Sequence, residues 1–268
     1  MSHRALQRAI VRLLFDPALA GRVYAGGSLP GLTEKELAWL RSPDARAWRT
    51  DPHRRARSLH ALLEELPAAA ALSGDPPALL SFFSSDAFHA CIEEGGSLAL
   101  SFGAWLASRL APPARDVARI ETAIADLRRR RARAAPPGRL ALSAFAEVLE
   151  VDAAAADLHA TLVERLGASP VEVLVKGPLP AVRVPAPTGN EAVLVHRRGG
   201  DVTVERLPDA LAALLAFARE PRTRDALVAE ARRLGAGDDA AEIVDSLLAD
   251  ALLLADQGPG GEDRTRRS

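Results

Sequence analysis

The side chains best suited to catalysis are few and scattered along the chain. The six histidines lie far apart, and there is no nucleophile elbow, phosphate-binding loop, dinucleotide-binding turn or zinc-protease motif. His60 and Glu64 stand one helical turn apart and could share a metal ion, but a chelating site needs further ligands. Cys91 follows His89 closely and could be a nucleophile if the histidine activated it. A surface pair and a small core residue are the simpler interpretations.

A different kind of site is predicted near the C-terminus, where strand patterns precede a helix. Ala192–His196 and Val202–Leu207 alternate apolar and polar residues, and Gly199-Gly200 between them can form a tight turn. Val171–Lys176 alternates in the same way and is predicted to be the preceding strand. The exposed edge of such a sheet, beside a helix, can accept an extended peptide as an additional strand.

Three helical patterns follow the hairpin without a long break. They cover Pro208–Ala218, the stretch after Thr223 as N-cap, and the stretch from Asp238 or Asp239 to about Leu253. Strands followed by three short helices predict a winged helix-turn-helix-like domain, a small α+β part in a mainly α protein. The residues expected to face its core are Leu211, Leu214, Leu215, Phe217, Leu227, Val228, Leu234, Ile243, Val244, Leu247 and Leu248.

Charge argues against DNA as the ligand of this domain. A recognition helix approaches phosphates and normally carries Arg or Lys. The predicted third helix has neither, and residues 171–254 contain ten Arg and Lys against thirteen Asp and Glu. Peptide capture is therefore favoured, with a DNA-binding transcriptional regulator as the alternative and an enzyme using Cys91, or His60 with Glu64, as a third possibility. The acidic residues of the third helix are Asp238, Asp239, Glu242, Asp245 and Asp250.

This C-terminal region resembles the PqqD-like recognition element of ribosomally synthesised and post-translationally modified peptides (RiPPs). The resemblance is carried by Pro208–Phe217, Arg222–Leu227 and Ile243–Leu253. It implies a module that captures the leader segment of a precursor peptide, which would pair with the edge of the last strand and lie against the third helix. The residues expected to bind the leader are Val202, Thr203, Val204, Glu205, Arg206, Asp239, Glu242, Ile243, Ser246 and Leu247.

The N-terminal part of the chain is predicted to be helical, because apolar residues recur at helical spacing after clear helix starts. An N-cap followed by proline, or a capping box, satisfies the free backbone N–H groups of the first turn. Asp152 is predicted to start one further helix, from Ala153 to about Leu166. The other predicted starts are Asp16-Pro17, Thr33–Glu36, Asp51-Pro52 and Ser85-Asp86.

The order of these helices resembles the helical domain of the MbnC-like and bufferin-type partner proteins of multinuclear non-haem iron-dependent oxidases. The matching features are Leu62–Pro67 with Leu72–Gly74, Leu98–Leu110 around Trp105, and Asp116–Glu121. The resemblance implies a non-catalytic subunit that forms a heterodimer with the oxidase and presents the leader-bound peptide to it. It also implies that this chain holds no cofactor or metal and that the iron belongs to the partner oxidase.

One tryptophan is a candidate for contact with that partner. Trp48 lies between Arg46 and Arg49, and an exposed Trp among arginines is the composition of an interface anchor. A core position for Trp48 is an equally good interpretation. Arg128–Arg133 could contact an acidic partner or phosphate, but cations at a helix C-terminus are favoured by the helix dipole and need no partner.

Composition indicates a soluble, cytoplasmic, two-domain protein. The net charge is −1, Cys91 is the single cysteine, and no uncharged apolar run reaches membrane-spanning length. The first residues carry too many charges for a secretory signal. The predicted organisation is a helical oxidase-docking domain at 1–135, a linker with a connecting helix at 136–170, the recognition element at 171–256, and a disordered tail at 257–268.

Overall fold

The computed structural model of the protein describes residues 3–49, 51, 53–74, 76–132, 135–176 and 183–255, so the predicted tail at 257–268 lies outside them. Most described residues are helical, and two small antiparallel sheets follow residue 139. The prediction of a mainly α protein with a small β part is confirmed. No described helix is both long enough and apolar enough to cross a membrane.

Packing divides the chain into two compact units at places that the sequence did not indicate. Unit 1 contains the described residues up to Thr122 and those from Leu158 to Val184. Unit 2 contains Ala123–Asp157 and the described residues from Pro185 onward. Two of the three crossings between units fall inside helices, Ala114–Arg129 and Ala153–Leu166, and the third falls in a loop between Val184 and Pro185. None falls in the linker predicted after residue 135.

All but one of the predicted capping residues of the N-terminal part start a helix where expected. Asp16 accepts the N–H of Ala18 at 3.0 Å, and Thr33 forms a capping box with Glu36. Asp51 accepts the N–H of His53, but the helix begins later than predicted, at Arg54, and Pro52 lies outside the described residues. The helices are α1 His3–Phe15, α2 Pro17–Tyr24, α3 Glu34–Arg41, α4 Arg54–Glu65, α5 Pro67–Ser73, α6 Pro76–Leu79, α7 Asp86–Glu94, α8 Leu98–Arg109, α9 Ala114–Arg129, α10 Ala153–Leu166 and α11 Pro170–Lys176, with 3₁₀ turns at Ala45–Arg49 and Leu80–Ser84.

Aromatic side chains form the centre of unit 1. Phe82 is fully buried, and its ring lies 5.1 Å from that of Phe102 and 5.6 Å from that of Trp105. These separations are in the range where tilted and edge-to-face ring pairs are favourable. Phe83 and Phe88 extend the cluster. Trp105 therefore belongs to the core, as its position on the apolar face of its helix predicts.

A buried carboxylate holds the start of α5. Glu121 on α9 is 3% exposed and accepts the N–H groups of Ala68 and Ala69 at 2.9 and 2.8 Å. The first N–H groups of a helix have no partner within the helix, and negative charge there is favoured by the helix dipole. Pro67 at the first position of α5 needs no such partner. One acidic side chain thus satisfies the remaining buried donors.

His159 makes the stability of the protein pH-dependent. Its ring nitrogen is 3.9 Å from Glu121, and burial lowers the pKa of His159 to about 4. An unfolded histidine has a pKa of about 6.5, so the unfolded chain binds the proton more tightly. The stability that the protein has with His159 buried in its neutral form is complete above pH 6.5 and is lost as the pH falls towards 4. We expect the free energy of unfolding to fall by about 2 kcal/mol between pH 7.5 and 5, and the His159→Gln variant to have a flatter profile in urea titrations. Equal slopes for both proteins would assign the pH dependence to other groups.

Unit 2 is built around a three-stranded antiparallel sheet. Its order is β2-β3-β4, with β2 Ala146–Asp152, β3 Asn190–Arg198 and β4 Asp201–Leu207. Val195 of β3 pairs with Val204 of β4, and Gly199 adopts a φ of 64° in the turn. The predicted hairpin is confirmed. A second pair joins β1 Leu140–Leu142 to β5 Leu253–Ala255.

Three helices follow the hairpin, as predicted. They are α12 Asp209–Phe217, α13 Arg224–Ala231 and α14 Ala240–Ala249. Thr223 caps α13 by accepting the N–H of Ala226 at 3.2 Å. The third helix ends earlier than the prediction of about Leu253, because Ala251 turns the chain with a φ of 57° and the following residues form β5.

The strand predicted at Val171–Lys176 is wrong. These residues form most of α11, where Pro170 occupies the first turn and Leu174 is buried. Proline fixes a helical φ at that position. The apolar residues of so short a run fit the strand period of two and the helical period of 3.6 equally well. The third strand of the sheet is β2, which pairs with β3 along its whole length. Asp152 ends β2 and caps α10, accepting the N–H of Ala154 at 2.9 Å.

The two faces of the sheet are covered differently. On one face, Val148 and Leu194 belong to a core cluster that also includes residues of all three C-terminal helices. On the other, Val195 packs with Ala123 and Leu127 from the end of α9. Arg197 fastens that end of α9, because its guanidinium donates to the carbonyl of Leu127 at 2.9 Å. The sheet of unit 2 therefore lies between two helical layers.

Candidate functional site

The outer edge of β4 is the first feature of the candidate site. β4 pairs with β3 on one side, and no described residue pairs with its other side. An edge strand presents alternating N–H and C=O groups that lack partners. Such an edge can take a further strand from another chain.

The side chains of β4 alternate between the two faces of the sheet. Val202 and Val204 pack on the cluster that contains the end of α9. Thr203 and Glu205 are exposed on the opposite face, which carries the C-terminal helices. The expectation that Val204 lines a groove beside the third helix is therefore corrected: the β4 side chains that face this groove are those of Thr203 and Glu205.

Val204 is thus expected to matter for folding. Replacing Val204 with Asp should reduce the free energy of unfolding by about 2 kcal/mol, because a carboxylate would enter the apolar cluster of Val195 and Leu127. Thr203→Asp on the exposed face is the matched control and should change stability by no more than about 0.5 kcal/mol. Urea unfolding of both variants checks this. Equal stabilities would mean that Val204 does not pack against α9.

Ion pairs fix which sides of α14 face its neighbours. Asp245 accepts three hydrogen bonds from Arg224 on α13, at 3.1, 2.8 and 2.7 Å. Asp250, which caps the C-terminal end of the helix, lies 3.9 Å from the guanidinium of Arg198 at the end of β3. Ser246 is one turn before Asp250 and Ile243 one turn earlier still, so both lie on the side that faces the hairpin.

His196 lies on the groove-facing side of β3, between β4 and α14. It pairs with Thr203 across the sheet and is half-buried. Burial lowers its pKa, while the charges of Glu205 and Asp250 act in the opposite direction. A neutral imidazole at neutral pH offers one donor and one acceptor to a ligand in the groove.

The ten residues predicted to bind a leader are distributed over several surfaces of unit 2. Arg206 donates to Asp157 at 2.8 Å and to Glu191 at 2.9 Å, on the face of the sheet away from α14. Leu247 is 5% exposed and supports α14 from the core instead of facing a ligand. Glu242 is exposed on α14, one turn before Ser246 and therefore on the same side of the helix. Those on the groove side are Thr203, Glu205, Asp239, Glu242, Ile243 and Ser246, and those on the other face of β4 are Val202, Val204 and Arg206.

An apolar pocket lies beside α14, at the end where β4 stops. Its volume is about 290 Å³, and its lining is almost entirely apolar. Sequence patterns placed Leu211, Leu234 and Ile243 in the core, but each is only partly buried and lines this opening. A partly buried residue has the same helical spacing as a core residue, so periodicity gives no signal of a pocket. The principal lining residues are Pro208, Ala210, Leu211, Leu234, Ala236 and Ile243.

The residues predicted to dock on a partner lie in unit 1. Trp48 is half-buried, packs on the cluster around Leu13 and Leu40, and donates its indole N–H to Tyr24 at 3.1 Å. The Arg46 side chain is 94% exposed, and the Arg49 side chain lies outside the described residues. Sequence patterns did not single out Trp39, whose residue is 56% exposed on α3. Docking through this region stays a prediction.

A polar network connects α1, the start of α2, and α7. His89 lies 3.1 Å from Asp16 through Nε2, and its Nδ1 accepts a hydrogen bond from Arg12 at 3.0 Å. Arginine only donates, so Nδ1 is unprotonated and Nε2 donates to the carboxylate. Burial, and then the charge of Arg12, lower the pKa of His89. Arg12 also pairs with Glu93. These contacts engage both ring nitrogens in structural hydrogen bonds, and the neighbouring Cys91 is buried.

The other candidates for metal binding or anion binding have separate surroundings. His60 and Glu64 are exposed on α4, and no three His, Cys, Asp or Glu side chains of the described residues converge as metal ligands would. In the basic run, Arg130 pairs with both Asp126 and Glu147. Its charge is therefore partly neutralised within unit 2.

No protein-family model matches the chain, and no curated protein matches it.

Proposed function

We propose that this protein is a non-catalytic partner subunit that binds the leader of a RiPP precursor peptide and presents the peptide to an iron-dependent oxidase. The single observation that carries the proposal is the unpaired outer edge of β4, in a hairpin whose Arg198 lies 3.9 Å from Asp250 at the end of α14. A three-stranded antiparallel sheet followed by three helices supports a winged-helix recognition element within unit 2. Its first strand is β2, not the segment at 171–176.

The binding mechanism follows from the open strand edge. A leader segment would add to β4 as a fourth strand, with every second side chain directed into the groove. Backbone hydrogen bonds contribute about 1 kcal/mol each, and a buried aliphatic side chain about 1.5–3 kcal/mol. Ordering of the peptide offsets part of this gain. Micromolar affinity results, which suits a substrate that must leave after modification.

The charge of the groove selects the leader. Glu205, Asp239 and Glu242 are exposed, and none forms an ion pair with another described residue. They favour a leader with basic residues next to its apolar anchors. They also disfavour nucleic acid, because α14 has no Arg or Lys to offset phosphate repulsion. The transcriptional-regulator alternative therefore has no support from this surface.

Reversing these charges should weaken peptide binding. We expect the double variant Asp239→Lys and Glu242→Lys to lose about tenfold in affinity for a basic leader at low salt, and less at high salt. Glu164→Lys on α10 is the control, since it is exposed in unit 1 and changes charge in the same direction. Fluorescence anisotropy with the labelled leader measures both. Unchanged affinity in the double variant would mean that the leader does not pass this side of α14.

The second part of the proposal concerns the interaction with the oxidase. We propose that unit 1 docks on a cytoplasmic multinuclear iron oxidase, with the iron held by that partner. The test is co-expression with any iron-oxidase homologue that is encoded beside this chain, with and without any small peptide encoded there. A stable one-to-one complex that retains the peptide is expected. Absence of a complex, with DNA retained instead, would contradict the proposal and favour a regulator.

A further inference from the structure

The apolar pocket beside α14 lies beyond the end of the strand edge. Strand pairing along β4 ends at Leu207, and the pocket wall begins at Pro208. The pocket is also lined by Ile243, which lies on the groove-facing side of α14. The groove therefore continues into the pocket without leaving unit 2.

We propose that this pocket receives one large apolar side chain of the bound peptide, from a position N-terminal to the segment that pairs with β4, with basic residues next to it. The inference rests on the proposed function, because it adds an anchor to the same peptide site.

The orientation of the peptide follows from the two ends of the groove. Asp250 near Arg198 marks the end at the hairpin turn, and Ile243 with Pro208 marks the end at the pocket. Every strand pair among the described residues is antiparallel. A peptide that pairs antiparallel with β4 begins beside Leu207 and runs towards the hairpin turn. The residues that reach the pocket thus precede the paired segment.

The size and lining of the pocket select the side chain. A dry cavity of about 150 Å³ is sufficient for a benzene ring, so about 290 Å³ accommodates a Phe, Leu or Met side chain with space to spare. The lining of Leu211, Leu234 and Ile243 gives such a side chain apolar contacts and offers almost no hydrogen-bonding group. A polar side chain would lose its hydration there without compensation.

The charged residues next to the pocket lining determine which peptide residues are favoured beside the bound apolar side chain. Asp209 lies between two pocket residues, Asp238 and Asp239 follow Ala236, and Glu242 precedes Ile243. All four carboxylates are exposed, and none forms an ion pair with another described residue. Two arginines are next to the lining residues in sequence. Arg233 donates to Glu230, so Arg232 is the one of the two that forms no ion pair with another described residue. The rim is therefore net negative, and Lys or Arg beside the anchor is favoured. The carboxylates in question are Asp209, Asp238, Asp239 and Glu242.

Selection from a displayed library of random peptides on the full-length protein tests this inference. Ala210→Phe fills the pocket from its exposed rim, and Ala216→Phe on an exposed position of the same helix is the matched control. Ser246→Trp blocks the groove beside β4 without altering the pocket lining. We expect enriched peptides to carry a large apolar residue with adjacent Lys or Arg, N-terminal to an extended segment. Their affinity should fall at least tenfold in Ala210→Phe and stay unchanged in Ala216→Phe.

The outcomes separate the pocket from the peptide site as a whole. If Ser246→Trp abolishes binding while Ala210→Phe binds normally, the pocket inference fails and the proposed function stands. A basic–apolar motif that follows the extended segment would overturn the orientation. If the library yields no peptide that binds the protein, both the inference and the proposed function fail.

Discussion

The Ser246→Trp variant is expected to lose at least a hundredfold in affinity for the leader peptide. Ser246 is exposed on α14, one turn before Asp250, whose carboxylate lies 3.9 Å from Arg198 of the sheet. An indole at this position would occupy the space that an added strand needs, so several backbone hydrogen bonds and an apolar contact are lost together. Such a loss corresponds to about 3 kcal/mol or more. Fluorescence anisotropy with the labelled leader measures it.

The control for this variant is Ala229→Trp, which adds the same side chain to an exposed position on α13. It should bind the leader as the unaltered protein does. Urea unfolding of both variants checks that folding is intact, since neither residue is in the core. Equal binding by Ser246→Trp and Ala229→Trp would show that the leader uses a different surface.

The Gly103→Ala variant is expected to destabilise the protein by about 3 kcal/mol. A methyl group at this position of α8 would lie 2.0 Å from Oγ1 of Thr122 and 2.8 Å from Cδ2 of Leu66. The Thr122 hydroxyl is held by a hydrogen bond to the carbonyl of Ala118 at 2.6 Å, so it does not move away freely. The overpacking outweighs the gain in helix propensity, which is about 1 kcal/mol for Gly to Ala.

Two further variants isolate the close approach as the cause. Gly21→Ala places the same change in α2, where an added methyl meets no atom within 4 Å, and it should stabilise the protein by about 0.5–1 kcal/mol. Thr122→Ala combined with Gly103→Ala should recover much of the loss. Thermal and urea unfolding measure all three. A Gly103→Ala protein as stable as Gly21→Ala would mean that α8 is not packed as closely as the structure has it.

Local chemistry made part of this fold predictable. The hairpin was predicted because strand alternation and the Gly199-Gly200 turn agree on one register. Helix starts at Thr33, Ser85 and Thr223 were predicted because each cap forms within a few residues. Such contacts depend only on neighbours in sequence.

The features that were missed depend on distant parts of the chain. Val171–Lys176 satisfies the strand period, but Pro170 and the burial of Leu174 favour a helix, while β2 supplies the third strand. Which face Val204 takes depends on α9, which lies far from β4 in sequence. The pocket is formed by gaps between three helices, and the spacing of apolar residues in one helix carries no information about such gaps.

The central claim is that β4 takes the leader as an added strand, and hydrogen exchange of the full-length protein tests it most directly. Exchange at the amides of Asp201–Leu207 is measured by mass spectrometry or NMR, with and without saturating leader peptide. Slower exchange is expected at alternate residues of β4, because the amides on its open edge gain partners, together with protection along α14. Binding of the leader with unchanged exchange in β4, and protection elsewhere, would contradict it.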